Sequence, residues 1–125
     1  MKYLLDSNVI IMAVTALSLP LRGRLASCDE GDIVTSAIAY AEVAYGAARG
    51  KAPAFDELQA FVEEVPILDF DYKAARAYAT LPFRRASYDR LIGAHALSHD
   101  LVLITDNEGD FADIPGLRVE NWTKA

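Results

Sequence analysis

Short runs of β-branched residues or leucine alternate with longer segments of helical spacing along the chain. Tyr3-Leu4-Leu5 reads as a buried strand that stops abruptly at Asp6-Ser7-Asn8, where Ser7 or Asn8 suits the cap of a following helix. Gly31-Asp32 introduces a second strand, Ile33-Val34-Thr35, and Ser36 can cap a long segment from Ala37 to about Arg49. Gly50-Lys51-Ala52-Pro53 is the clearest break. Beyond it, Phe55, Leu58, Phe61 and Val62 fall at helical spacing within a predicted helix from Ala54 to Glu64. Pro66-Ile67-Leu68 predicts a third strand. Asp71 caps a predicted helix Tyr72 to Thr80, and Ser87 caps one from Tyr88 to Ser98. Leu101 to Thr105 is the strongest strand signal. A polar loop follows through Asp110, then a last short strand, Leu117-Arg118-Val119, before Trp122.

Strands alternating with helices imply an α/β fold, a mainly parallel central sheet covered on both faces. At 125 residues, 53% hydrophobic and 24% charged, the chain suits one domain over residues 1–125 with a real core, and a disordered reading is excluded. Twelve Lys and Arg against eighteen Asp and Glu give a net charge of -6, the wrong sign for a protein that simply coats nucleic acid. The single cysteine, Cys28, excludes an internal disulfide and a cysteine-based zinc site and suits a reducing compartment. Val9 to Leu21 is interrupted by Thr15, Ser18 and Pro20 and is too short to span a bilayer. A cytoplasmic location is the expectation.

Charge placement says more than charge count. Asp6 is the only charged residue between Lys2 and Arg22, and Glu42 the only one between Asp32 and Arg49. A buried, unpaired carboxylate is costly, so each should be protonated, paired in space or bound to a cation. Asp6 also reads as a helix cap, and Glu42 as a partly exposed helix position. Asp89 shares a helical face with Ile92, Gly93 and Ala96, of which Gly93 and Ala96 are small enough to admit another element, although an acid in a first turn is also an ordinary stabilising device. Thr105-Asp106-Asn107-Glu108-Gly109-Asp110-Phe111 follows the best strand, and in open α/β sheets the functional crevice lies beyond the carboxyl ends of the strands. Oxygen ligands without a His-Cys set favour Mg²⁺ or Mn²⁺.

The same residues carry a resemblance. Leu4-Leu5-Asp6-Ser7-Asn8, Ala41-Glu42-Val43-Ala44-Tyr45-Gly46, Ser87 to Leu97, the Thr105 to Phe111 loop and Ile114 to Trp122 occur in order and at family-like spacing. Over nearly its whole length the chain resembles the PIN-domain nucleases, specifically the VapC-type toxins of toxin–antitoxin pairs. The resemblance implies a three-layer α/β/α fold and a Mg²⁺-dependent endoribonuclease, with Mn²⁺ a possible substitute. Asp6, Glu42, Asp89 and Asp110 would be the catalytic and metal-binding acids. It also implies a VapB-type antitoxin partner, an RNA substrate and a homodimer, with no membrane. Asp110 would ligate directly or through water, Asn107 would assist by hydrogen bonds, and Asp106 reads as a solvated loop acid. Gly93 stands where the family often has Ala, a change that should cost helix stability and not chemistry.

Ser7 and Asn8 either cap a helix or support Asp6 and a bound phosphate. Arg84, Arg85 and Arg90 are candidate substrate-phosphate contacts or a solvated basic face. His95 and His99 read as packing or surface residues, Trp122 as a core or terminal anchor, and Asp69 and Asp71 as strand-end and cap residues. A phosphotransfer or phosphatase domain of receiver or haloacid-dehalogenase-like type matches Asp6-Ser7-Asn8 and Thr105. It lacks a second Asp at position 8 and a Lys directly after the last strand. A catalytically inactive partner-binding domain is disfavoured because every acid position is occupied.

Overall fold

The computed structural model describes residues 1–124. Its five strands form one sheet in the order β3-β2-β1-β4-β5, and every neighbouring pair is parallel. β1 (Tyr3–Leu5) is central, between β2 (Ile33–Ser36) and β4 (Val102–Ile104), with β3 (Ile67–Leu68) and β5 (Val119–Glu120) at the edges. Leu4 lies opposite Val34 on one side and Leu103 on the other, and all three are buried. Burial on both faces explains why these strands read as continuous apolar runs without alternation. From β1 the chain builds outward through β2 to β3, then returns past β1 to build β4 and β5. Right-handed crossovers therefore put connecting helices on opposite faces of the two halves. The order reverses at the β1–β4 boundary, where such sheets open a crevice beyond the strand ends.

Six helices connect the strands: α1 (Ser7–Val14), α2 (Leu19–Ala26), α3 (Ala37–Ala47), α4 (Phe55–Glu64), α5 (Tyr72–Ala79) and α6 (Tyr88–Ser98). Three caps are those the sequence predicts: Ser36 Oγ accepts from Ile38 N, Asp71 Oδ1 from Ala74 N, and Ser87 Oγ from Arg90 N. The cap of α1 is different. Asp6 occupies it, accepting from Ser7 N at 2.8 Å, so Ser7 and Asn8 are already helical. The hydrophobic pattern also misses α2, because apolar residues run on through its start. Ser18 Oγ caps it on Leu21 N, and Pro20 stands in the first turn, where a helix needs no N–H. The last strand sits later than Leu117–Val119, since Leu103 N donates to Arg118 O and Thr105 N to Glu120 O. Among the described residues no single helix is long and apolar enough to cross a membrane.

The polar loop after β4 contains a short 3-10 helix, Glu108–Phe111, whose Phe111 is buried together with Ile114. They pack on α6 at Gly93, where a Cβ would stand 2.5 Å from Ile114 Cδ1 and 3.3 Å from Phe111 Cδ1. The missing side chain is thus what lets this segment close on α6. Gly93 adds a packing contact to the helix-propensity cost expected from the sequence. Ala would gain at most ~1 kcal/mol of propensity, whereas overpacking a buried contact costs ~1–3 kcal/mol. Gly93→Ala should therefore lower the melting temperature, and Gly93→Ala combined with Ile114→Val, which removes the clashing Cδ1, should recover part of the loss. A single variant that melts above wild type would reverse this assignment.

Candidate metal-binding and catalytic site

Asp6 directly follows β1 and Thr105 directly follows β4, so their side chains meet where the strand order reverses. The Thr105 hydroxyl donates to Asp6 Oδ2 at 2.9 Å and accepts from Asn107 N at 3.1 Å. Asp6 Oδ1 accepts from Ser7 N, so capping and site roles belong to the same carboxylate. The residue is only 5% exposed. Burial pushes its carboxyl up; the Thr105 and Ser7 hydrogen bonds oppose this, while the charges of Asp106 and Asp110 add to it.

Glu42 reaches the same point from α3, whose start is fixed by Ser36 and by Thr35 Oγ1 donating to Leu5 O at 2.8 Å. Its Oε1 is buried without a hydrogen-bond partner. Burial and then the charge of Asp6 raise its carboxyl, against the pull of the Ser7 hydroxyl. Asp89, in the first turn of α6, is pushed up to about 6, by burial first and then by Asp6, Asp110, a hydrogen bond with Asp110, and Glu42. One oxygen from each of Asp6, Glu42 and Asp89 lies within 4.8 Å of the others. The charges acting on Glu42 and Asp89 are all carboxylates. The three acids crowd together, and their mutual repulsion would be relieved by a proton or by a bound cation.

Asp110 stands at the exposed rim, braced by Asn107 Nδ2 at 2.7 Å and within hydrogen-bond reach of Asp89. Asp106 is half-buried and not the solvated loop acid expected; its Oδ1 is buried without a partner. Ser7 lies beside Glu42, and Asn8 is exposed on the first turn of α1.

Arg84, Arg85 and Arg90 border a cleft of about 290 Å³ with Asp89 and Asp110, but they are not equivalent. Arg90 is buried, with its guanidinium on Asp113 Oδ2 at 2.8 Å and on Pro82 O at 2.6 Å. Arg84 also pairs with Asp113, at 3.3 Å. Arg85 is exposed and, among the described residues, forms no ion pair. The first two arginines hold the connection into α6; Arg85 keeps its charge for something else. His95 is fully buried with Nδ1 on Ser36 Oγ at 2.8 Å, bracing α6 against the start of α3. Thr105 and Asp113 escape sequence reasoning because their partners are distant in the chain, although a polar residue closing the strongest strand was a signal for Thr105.

A family model described as PIN domain matches residues 3–117. A protein named ribonuclease VapC2 from Haemophilus influenzae is 30% identical, with the match covering 98% of this chain and 98% of that protein. A tRNA(fMet)-specific endonuclease VapC from Shigella flexneri is 27% identical over 98% of this chain and 99% of its own. Among solved structures, VapBC2 from Rickettsia felis bound to a promoter DNA fragment gives a TM-score of 0.86 at 27% identity, covering 98% of this chain and 99% of that one.

The raised carboxyls have a consequence for stability. In the unfolded chain Asp89 ionises near its ordinary value of 3.8, whereas in the fold it keeps its proton up to about 6. Between these values the folded state binds more protons, so its contribution to stability falls as pH rises through the window and is flat above it. The helix start favours the anion by a few tenths of a kcal/mol up to ~1, and the net upward shift shows that this is outweighed. Asp89→Asn should therefore melt above wild type at pH 7 without divalent ions, and the gap should close below about pH 4. Thermal melts across pH in chelator-containing buffer check this; a gap of constant size would assign the stabilisation to something other than ionisation.

Proposed function

The chain belongs to the PIN domain family, and on that premise we propose that it is a VapC-type endoribonuclease toxin that hydrolyses RNA phosphodiesters with Mg²⁺ at Asp6, Glu42 and Asp89. The observation that carries the reading is the convergence of these three acids from β1, α3 and α6, within 4.8 Å and without a cation of the protein's own acting on Glu42 or Asp89. The donor set fits a hard divalent ion: it is all oxygen, and Glu42 Oε1 is buried with its hydrogen-bonding capacity unused. Asp6, Glu42 and Asp89 would hold the ion, with Asp110 joining directly or through water and Mn²⁺ able to substitute. Bound there, the ion supplies the charge that acidifies a water for attack on phosphorus and neutralises the phosphate oxygens.

The remaining work falls to side chains. Thr105 fixes the carboxylate plane of Asp6, and Asn107 holds Asp110 over the rim next to Asp89. Arg85, with its free charge on the cleft wall, would take a neighbouring phosphate of the strand. Names of the relatives support RNA as the substrate, and the solved VapBC complexes among the structural neighbours support a VapB-type antitoxin as partner.

Asp6→Asn and Asp89→Asn should each keep the fold and lose RNA cleavage. The loss should be on the order of 10²-fold or more, since even residues that only hydrogen-bond a metal's ligands are worth ~10–100-fold. Mg²⁺ at about 100 times its dissociation constant should stabilise wild type by ~2.7 kcal/mol and both variants by clearly less. Cleavage intact in both variants, with equal metal stabilisation, would remove the acids from the site.

A partner that silences this cleft needs Arg or Lys for the carboxylates and apolar anchors to stay docked. Expression of the chain alone should therefore arrest growth, Asp6→Asn should be harmless, and co-expression of the small neighbouring gene's product should restore growth by forming a complex. Harmless expression of a folded wild-type chain would remove the toxin assignment and leave the nuclease assignment to its own assay.

A further inference from the structure

A second pocket, of about 410 Å³, is lined by Ile38, Ala41, Glu42, Tyr45 and Tyr88 and meets the acid cluster at Glu42, as the arginine-lined cleft meets it at Asp89. Its volume is in the ~300–1,000 Å³ range of small-molecule sites. Four of the lining residues stand at i, i+3, i+4 and i+7 on α3, so one helical face presents an apolar floor, a site acid and an aromatic ring in sequence. Tyr88 comes from the first turn of α6, next in the chain to Asp89. Both tyrosines are 63% exposed, which leaves their rings open to a ligand. Tyr45 is also held. The Arg49 guanidinium lies 3.3 Å from its ring centroid and donates to Tyr45 O at 3.0 Å, yet Arg49 does not line the pocket. A ring with a cation on one face is polarised and oriented for a flat partner on the other.

Taking the nuclease reading as its basis, we propose that the Tyr45–Tyr88 pocket receives the nucleobase of the nucleotide whose phosphate lies at Asp6, Glu42 and Asp89. The order along the surface carries the assignment: aromatic pocket, acid cluster, then the cleft with Arg85. Glu42 lines the first, Asp89 borders the third, and both belong to the second. A single strand offers the same order as a base, its phosphate and the next phosphate. Base stacking on aromatic rings is the sequence-tolerant component of single-strand recognition, and a lone phosphate grip cannot supply it.

The test uses a fluorescent single-stranded RNA and the intact chain, with binding measured in an Asp6→Asn background and cleavage in the wild-type background. Tyr45→Ala and Tyr88→Ala should each weaken RNA binding about tenfold, the size of one base–aromatic stack. Tyr45→Phe and Tyr88→Phe should retain it. Moving an abasic nucleotide along the RNA should reveal one position that costs the tyrosine-bearing protein a similar factor and costs the Ala variants nothing further. RNA affinity unchanged in both Ala variants would overturn the proposal. So would a defect confined to antitoxin binding, which would make the pocket a protein-docking site. Tyrosine-dependent binding of an RNA that wild type never cuts would keep the base pocket and remove the nuclease reading. Cleavage with unaltered KM in the Ala variants would do the opposite.

Discussion

Thr105 donating to Asp6 joins the ends of β1 and β4 across the line where the sheet changes direction. That bond decides whether the rest of the site can exist. An acid that is 5% exposed, with other carboxylates around it, is held by geometry and not by charge. Its oxygens are pinned from two sides, by Ser7 N and by Thr105, and Thr105 is itself pinned by Asn107 N. Each neutral hydrogen bond contributes only ~0.5–1.5 kcal/mol net. The buried strand pairs on either side supply the stiffness: Leu5 registers with Thr35 and with Ile104, so the strand ends have little freedom to separate.

Bringing Asp89 and Asp110 to that point takes a second device, built from absence on one side and charge on the other. Gly93 gives up its side chain so that Ile114 and Phe111 can close on α6, which carries Asp110 towards Asp89 four positions back on the same face. Arg90, its side chain only 6% exposed, pairs with Asp113 and holds the chain just beyond the 3-10 helix to the start of α6. Without Asp113 the buried Arg90 guanidinium would keep only Pro82 O as an acceptor among the described residues, and a buried charge short of partners is costly. The arginine is therefore a strut, and its place next to Asp89 in the sequence says nothing about phosphate.

Which parts of this were legible in the sequence follows from how local each cause is. Strands and caps were readable because they depend on a few adjacent residues: Ile33-Val34-Thr35 before Ser36, or Ser87 three residues before Arg90. The start of α2 was hidden because its apolar residues continue those of α1. Asp6, Glu42 and Asp89 stood out because an acid in an apolar stretch requires an explanation, and they do converge. Asp113 gave no such signal, being one of several acids in a polar loop, and only its distance to Arg90 and Arg84 reveals what it does. The division of labour among Arg84, Arg85 and Arg90 was equally out of reach, since three cations in one segment look alike until their partners are known.

The net charge of -6 then acquires a meaning that composition alone could not give it. A protein of this sign gains little from long-range attraction to a phosphate backbone. On the proposed reading, its affinity for a strand would be made at contact, from a cation held by the acids, from the Arg85 guanidinium and from exposed rings. Those three sources lie side by side here, along a path that runs from Tyr45 past Glu42 and Asp89 to Arg85. The same acidity explains why a silencing partner would be basic: a segment bearing Arg or Lys is drawn to the carboxylates of Asp6, Glu42 and Asp89. On that reading, metal, substrate and inhibitor would all be selected by a single property of the fold, a cluster of carboxylates brought together from β1, α3 and α6.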